Sequence, residues 1–196
     1  MRTSAKVLGL ALAFALASPM IARPAAHAAD MLKIGEGHGT IEFGIGDSKI
    51  FRTTGGFKQW HGKVDVDEAD VSRSSVEVEV NTASIQMLDT QQTSMLKDSD
   101  FFDVAKYPRM TFKSTKVERT GENSLKVEGN ITLRGITRPM TLDVTVSDRR
   151  PNAAPGSRYA RFRGFGVIKR SEFGMTKYVD MVGDTVELAI TADALR

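Results

Sequence analysis

Eight stretches of this chain alternate apolar and polar residues with a period of two, and few folds accept that pattern. Ile41, Phe43 and Ile45 share one side of the first stretch. In the second, Trp60, Gly62, Val64 and Val66 oppose Gln59, His61, Lys63 and Asp65. Val76, Val78 and Val80 alternate with Glu77, Glu79 and Asn81, and Met110 and Phe112 open a fourth run. Leu125, Val127, Gly129, Ile131 and Leu133 form the fifth. Met140, Leu142, Val144 and Val146 form the sixth, opposite Thr141, Asp143 and Thr145. Ala160, Phe162, Gly164, Gly166 and Ile168 make the seventh, and Val186, Leu188 and Ile190 the eighth. Strict alternation gives each strand one buried and one wet face, which is the mark of an antiparallel sheet.

The links agree. Gly121-Glu122-Asn123 and Gly135-Ile136-Thr137-Arg138-Pro139 are hairpin-type connections, and 149–157 is a longer loop. Asp89 can cap a helix with Gln92 as its capping-box partner, running to about Lys97, and a short turn is expected near Ser171–Gly174. Eight such strands stack as a sandwich or close as a barrel. Gly62, Gly129, Gly164 and Gly166 all fall on the apolar faces. Glycine at an inward position removes filler, which favours an eight-stranded barrel with room inside. The same glycines also suit strands that merely bend.

Charge and composition narrow the function. Hydrophobic residues make up 41% and charged residues 26%, which excludes a disordered, collagenous or polytopic membrane chain. No cysteine is present, so there is no disulfide framework and no thiol nucleophile. Arg2 and Lys6, the apolar run Val7–Ala17 and the small-residue site Ala26-His27-Ala28 read as a secretory leader. The run falls short of the roughly 20 apolar residues a membrane helix needs. Residues 1–28 are therefore expected to be a signal peptide cut after Ala28, with Ala29 the alternative, and 29–196 one exported, soluble, periplasmic domain. The formal charge of +3 rests on Arg2, Lys6 and Arg23 in that leader. Without them 27 − 3 = 24 basic residues balance 24 acidic ones. No basic stripe remains for nucleic acid.

Catalytic motifs fail on inspection. Gly46-Asp47-Ser48 resembles an esterase nucleophile block, yet no histidine follows His61 to activate the serine. Gly56 and Gly62-Lys63 have the wrong spacing for a phosphate loop, and Val64 replaces its Ser or Thr. Asp65–Asp70 lacks the glycine of a calcium loop and reads as a solvated acidic turn. His38 and His61 are not at metal spacing. No catalytic residue, metal site or cofactor is assigned.

Taken in order, several blocks resemble the YceI family of exported bacterial proteins. They are Gly56-Phe57-Lys58-Gln59-Trp60-His61-Gly62, the segment Asp98–Pro108 with its D-F-F-D-x-x-x-Y-P pattern, Thr111–Thr115, Gly129–Pro139 and Lys169-Arg170-Ser171-Glu172-Phe173-Gly174-Met175. The resemblance spans about Ile41 to Ala192. It implies an eight-stranded antiparallel, lipocalin-like barrel with a helical insertion. It also implies an apolar lumen that holds an isoprenoid chain, such as a polyprenyl or quinone tail. On that reading the ligand-contacting wall is Phe43, Ile45, Trp60, Val78, Val80, Met110, Phe112, Ile131, Leu133, Leu142, Val144, Phe162, Gly164, Phe173, Met175 and Leu188. Met110, Met140 and Met175 add adaptable surface. Where the family often carries a histidine this chain has Asp47, which bears on head-group preference.

Burial at ~0.8 kcal/mol per carbon gives about 4 kcal/mol per five-carbon unit as an upper bound. Binding costs of roughly 4–15 kcal/mol mean that several units are needed for retention. The expected function is non-catalytic binding, transport or storage of an amphiphilic lipid. The alternatives are a periplasmic enzyme or a stress-related interaction module using the barrel as scaffold. Transient membrane contact and a homodimer are compatible with the sequence.

Overall fold

The computed structural model describes residues 30–35, 37–46 and 53–196. Its strands are β1 (Asp30–Gly35), β2 (Gly39–Ile45), β3 (Thr53–Phe57), β4 (Trp60–Val66), β5 (Ser75–Asn81), β6 (Ile85–Met87), β7 (Arg109–Arg119), β8 (Ser124–Leu133), β9 (Ile136–Ser147), β10 (Arg158–Lys169) and β11 (Thr185–Leu195). They build eight staves, because three staves are each broken in two. β1 pairs with β4 while β2 pairs with β3, and β4 pairs with β5 while β3 pairs with β6. From β5 onward the chain meanders through β7, β8, β9, β10 and β11. β11 then returns to β2, from Val186↔Ile45 to Ala192↔Gly39, and meets β1 at Lys33↔Leu195. All pairings are antiparallel, and the barrel is closed.

The eight alternating runs each fall in one stave. β1, β3 and β6 were not visible as strands. β6 has only three residues, and β3 reads Thr-Thr-Gly-Gly-Phe, so neither carries a usable alternation. Their extended form comes from their partners. The breaks have local causes as well. Between β5 and β6 the Asn81 side chain accepts from the Ala83 amide at 3.0 Å and starts a 3-10 turn, Thr82–Ser84. The fully buried Thr82 hydroxyl donates to the Tyr107 carbonyl at 2.7 Å.

One link is shorter than the sequence suggested. β8 and β9 are joined by Arg134-Gly135 alone, at φ 51° and 73°, the two-residue turn that suits strand twist. Pro139 lies inside β9 opposite Asn130. The last β9–β10 pair is Gly166↔Leu142, so Pro139 sits where β9 has no β10 partner and no ladder bond is lost. The helix α1 (Thr90–Lys97) starts as its cap predicted, with the Asp89 carboxylate accepting from the Gln92 amide at 2.8 Å. The expected turn near Ser171 is a 3-10 turn, Arg170–Phe173, ended by Gly174 at φ 77°.

The inward glycines divide. A Cβ on Gly129 would lie 2.5 Å from the Lys113 carbonyl oxygen and from Phe112 Cζ, and one on Gly166 would lie 2.7 Å from Leu142 Cδ2. At Gly62 it would collide with the Glu77 carbonyl oxygen. These three permit close packing of neighbouring strands. Gly164 differs, since its nearest atoms would be Ile190 and Val144 at 3.7–3.9 Å. Of the four, only Gly164 would accept a Cβ without a clash, at ordinary van der Waals contact.

Candidate functional site: a divided apolar lumen

Inward residues of the staves enclose two cavities, one beyond the other along the barrel. The first has a volume of about 160 Å³ and the second about 170 Å³. The order along each stave fixes their arrangement. On β11, Val186 lines the second chamber, Leu188 both, and Ile190 and Ala192 the first. On β7, Met110 lines both and Phe112 and Val117 only the first. Met110 and Leu188 therefore form a waist between the chambers.

Trp60, Val78, Val80, Phe112, Ile131, Leu142, Val144, Phe162 and Gly164 lie on the first chamber's wall. Phe43, Ile45, Leu133 and Met175 lie on the second. Phe173 does not line either one. It is 1% exposed and packed in the core. Residues 170–173 form a 3-10 turn, so an alternating pattern gives no guide to which side chain faces the lumen there.

The far end of the first chamber is covered by the segment between β4 and β5. Its anchor is Asp67, 6% exposed rather than solvated. Its carboxylate accepts from the Ala69 and Asp70 amides at 3.0 and 2.8 Å and pairs with Arg73 at 2.6 Å. The Asp70 amide, with Arg73 adding its charge, holds this carboxyl below the usual carboxylate range. Val71 of the 3-10 turn Val71–Arg73 reaches the chamber wall. Tyr159, 1% exposed, donates its hydroxyl to Glu68 and ties this cover to β10.

Alternation from Ala160 and Phe162 places Tyr159 outside. A register shift between Arg158 and Ala160 turns it inward, as a β-bulge does. No sequence signal marks that shift. The second chamber was also only half legible. Its wall includes Met95 and Leu96 of α1, and Phe101 and Phe102 from the non-periodic segment that follows. Gln92, Arg170, Lys177 and Tyr178 add polar groups.

Arg170 is 5% exposed. Its Nε donates to the Gly183 carbonyl at 2.9 Å, and its Nη1 to the carbonyls of Met175 and Lys177 at 3.1 and 2.7 Å. Burial lowers its pKa, with Asp184 opposing. Lys177 is ion-paired with Asp100.

Among the described residues no group of three or more His, Cys, Asp or Glu could hold a metal. No helix among them is long and apolar enough to cross a membrane. Residues 1–28, expected to be a leader, and Asp47 and Ser48 of the Gly46-Asp47-Ser48 block lie outside the described residues.

Comparison with known proteins places these features in context. The YceI-like domain family matches residues 32–194. A UPF0312 protein of Pseudomonas syringae pv. tomato is 32% identical over 185 residues, covering 94% of this chain and 95% of its own. Protein YceI of Salmonella newport is 32% identical over 186 residues, covering 94% and 96%. Among solved structures, Burkholderia cenocepacia BcnA superposes with a TM-score of 0.68 at 26% identity, covering 79% of this chain and 94% of its own. A polyisoprenoid binding domain from Saccharophagus degradans superposes with a TM-score of 0.59 at 12% identity, covering 85% and 98%. At that identity the likeness concerns the fold alone.

Proposed function

The chain belongs to the YceI family, and from that membership and its lumen we propose that it binds the tail of an isoprenoid lipid without chemical turnover. The observation that carries this reading is the pair of apolar chambers set in line inside a closed barrel. The Saccharophagus domain, described as polyisoprenoid binding, supplies the same architecture and no residue-level precedent.

The chambers also say how the tail sits. An apolar cavity of ~150 Å³ is enough to bind benzene, so each chamber takes roughly one isoprene unit as it stands. A tail of several units has to turn Met110 and Leu188 aside and use both chambers. Methionine suits that role, being unbranched and adaptable. The protein then acts as carrier or store, in the periplasm, after loss of residues 1–28. Leader cleavage is checked by N-terminal sequencing of periplasmic material, with Ala29 expected first. Full-length protein held in the cytoplasm would contradict the location.

The direct test is extraction of purified mature protein with organic solvent, followed by mass spectrometry. A stoichiometric polyprenyl or quinone species supports the reading. An extract free of lipid, from protein that also fails to take up added polyprenol, removes it.

A further inference from the structure

We infer that the short helix α2 (Val179–Val182), at the rim of the second chamber, docks on a zwitterionic lipid surface, and that a tail enters the barrel there directly from that surface. The inference rests on the tail-binding reading above and adds the partner from which the tail is taken.

Three observations carry it. First, the wall of the second chamber runs out onto the molecular surface through this element. Phe101, 6% exposed, and Tyr178 both line the chamber, with ring centroids 6.4 Å apart. Tyr178 is 44% exposed and Val182, also on the wall, 39% exposed, while Met181 beside Val182 is 82% exposed. The amides of Met181 and Val182 donate to the Tyr178 carbonyl at 3.2 and 2.9 Å, which groups the three side chains in one turn. Tyr178 enters that turn in the left-handed region, at φ 60°, which a bulky side chain rarely adopts. Leu88, fully exposed, follows Met87 of the same chamber wall and adds apolar surface at this end of the barrel. A tail moving along this strip from a lipid phase into the chamber stays out of water. Second, no surplus cation marks the rim. Lys177, its Nζ 5.5 Å from the Tyr178 ring centroid, is paired with Asp100. Asp180 of α2 is exposed, and Asp184 is engaged by the Ser171 amide and hydroxyl. Contact is therefore apolar, with Tyr178 at head-group level, where an amphipathic ring is favoured, and anionic lipid adds nothing. Third, the patch is small. Its four exposed apolar side chains fall far short of the roughly 20–30 residues a side of a stable protein interface. Shallow, reversible insertion into a lipid surface needs only a few such side chains.

The test uses protein lacking residues 1–28, because the apolar run Val7–Ala17 would itself attract vesicles. Docking is read by co-sedimentation with phosphatidylcholine vesicles. Uptake of geranylgeraniol is read from Trp60, the single tryptophan, on the first chamber's wall. Wild type is expected to sediment with the vesicles equally well in low and high salt, and no better when half the lipid is phosphatidylglycerol. Met181→Asp should bind the vesicles at least fivefold less and take geranylgeraniol from them at least fivefold more slowly. Its affinity for geranylgeraniol delivered on cyclodextrin should match wild type, since Met181 does not line the chamber. Met31→Asp is the control, an equally simple change at a methionine 62% exposed on β1, opposite Asp65 near the β4–β5 cover. It should behave as wild type in every assay. Wild type that takes up geranylgeraniol from cyclodextrin but ignores vesicles overturns docking and leaves tail binding standing. So does Met181→Asp that docks as wild type, an equal loss in Met31→Asp, or docking that requires phosphatidylglycerol and disappears in high salt. A wild-type dimer in sedimentation velocity that Met181→Asp dissociates assigns the patch to a second copy and overturns the lipid surface. No uptake of geranylgeraniol from either source overturns tail binding itself.

Discussion

Val144 and Gly164 face each other in the β9–β10 register, and both line the first chamber. A carboxylate at Val144 would be unpaired in an apolar enclosure, at a cost of several kcal/mol. Val144→Asp should therefore lose lipid retention and melt earlier, whereas Thr145→Asp on the wet face should do neither. Gly164 has room for a Cβ and lines the first chamber, so Gly164→Leu should direct its side chain into that chamber and fold, with a reduced load of long-chain lipid. Gly129→Ala should instead destabilise by roughly 1–3 kcal/mol through overpacking. Thermal melts and solvent extraction separate the three behaviours, and a folded Gly164→Leu protein with an undiminished load would refute the chamber's role in holding the tail. Asp67 supplies a pH test. Its folded pKa lies below the ordinary value of 3.8, so its contribution is complete at neutral pH and is lost as pH falls through that lowered value. Asp67→Asn should lower the melting temperature at pH 7, and its gap from wild type should close at the acid end. A gap independent of pH would show that the charge does not matter. The sequence placed Val144 correctly because alternation reports faces. It left the glycines undecided because alternation does not report how closely neighbouring strands approach. Tyr159 and Arg170 escaped it because a bulge and a 3-10 turn have no period of two.

Elements differ in how far local sequence determines them. The α1 helix was legible from Asp89 and Gln92, and the cap bond is present at 2.8 Å. None of its residues is buried, so the cap and the contacts of Met95 and Leu96 at the second chamber hold it. Asp89→Ala should cost about 1 kcal/mol. The loss should appear first as faster amide exchange in α1, before any global change. β3 and β6 were illegible because their neighbours define them, as the Gly55↔Met87 and Phe43↔Gly55 pairings show. At the waist, Met110→Ala should join the chambers. A large-to-small change of this kind costs about 2–5 kcal/mol in stability. In return, long tails should enter faster, measured by stopped-flow quenching of Trp60. An unchanged entry rate would mean that the waist is no obstacle.

At the scale of the whole molecule, the proposed loss of residues 1–28 would leave 24 basic and 24 acidic residues. Mature protein should pass heparin at moderate salt with little retention. Tight, salt-sensitive binding would reveal a basic patch. Closure has a further effect. Every neighbouring pair of staves but one is a hairpin or a near-sequential link, while β11 must find β2 and β1 at the other end of the chain. Contacts of such long sequence separation form late. Refolding with a long polyprenol present should therefore load protein faster than adding the same polyprenol to folded barrels, and equal rates would refute this order. Before the last stave arrives the sheet is an open trough, and a tail lying in it is wrapped by the protein instead of being threaded through it.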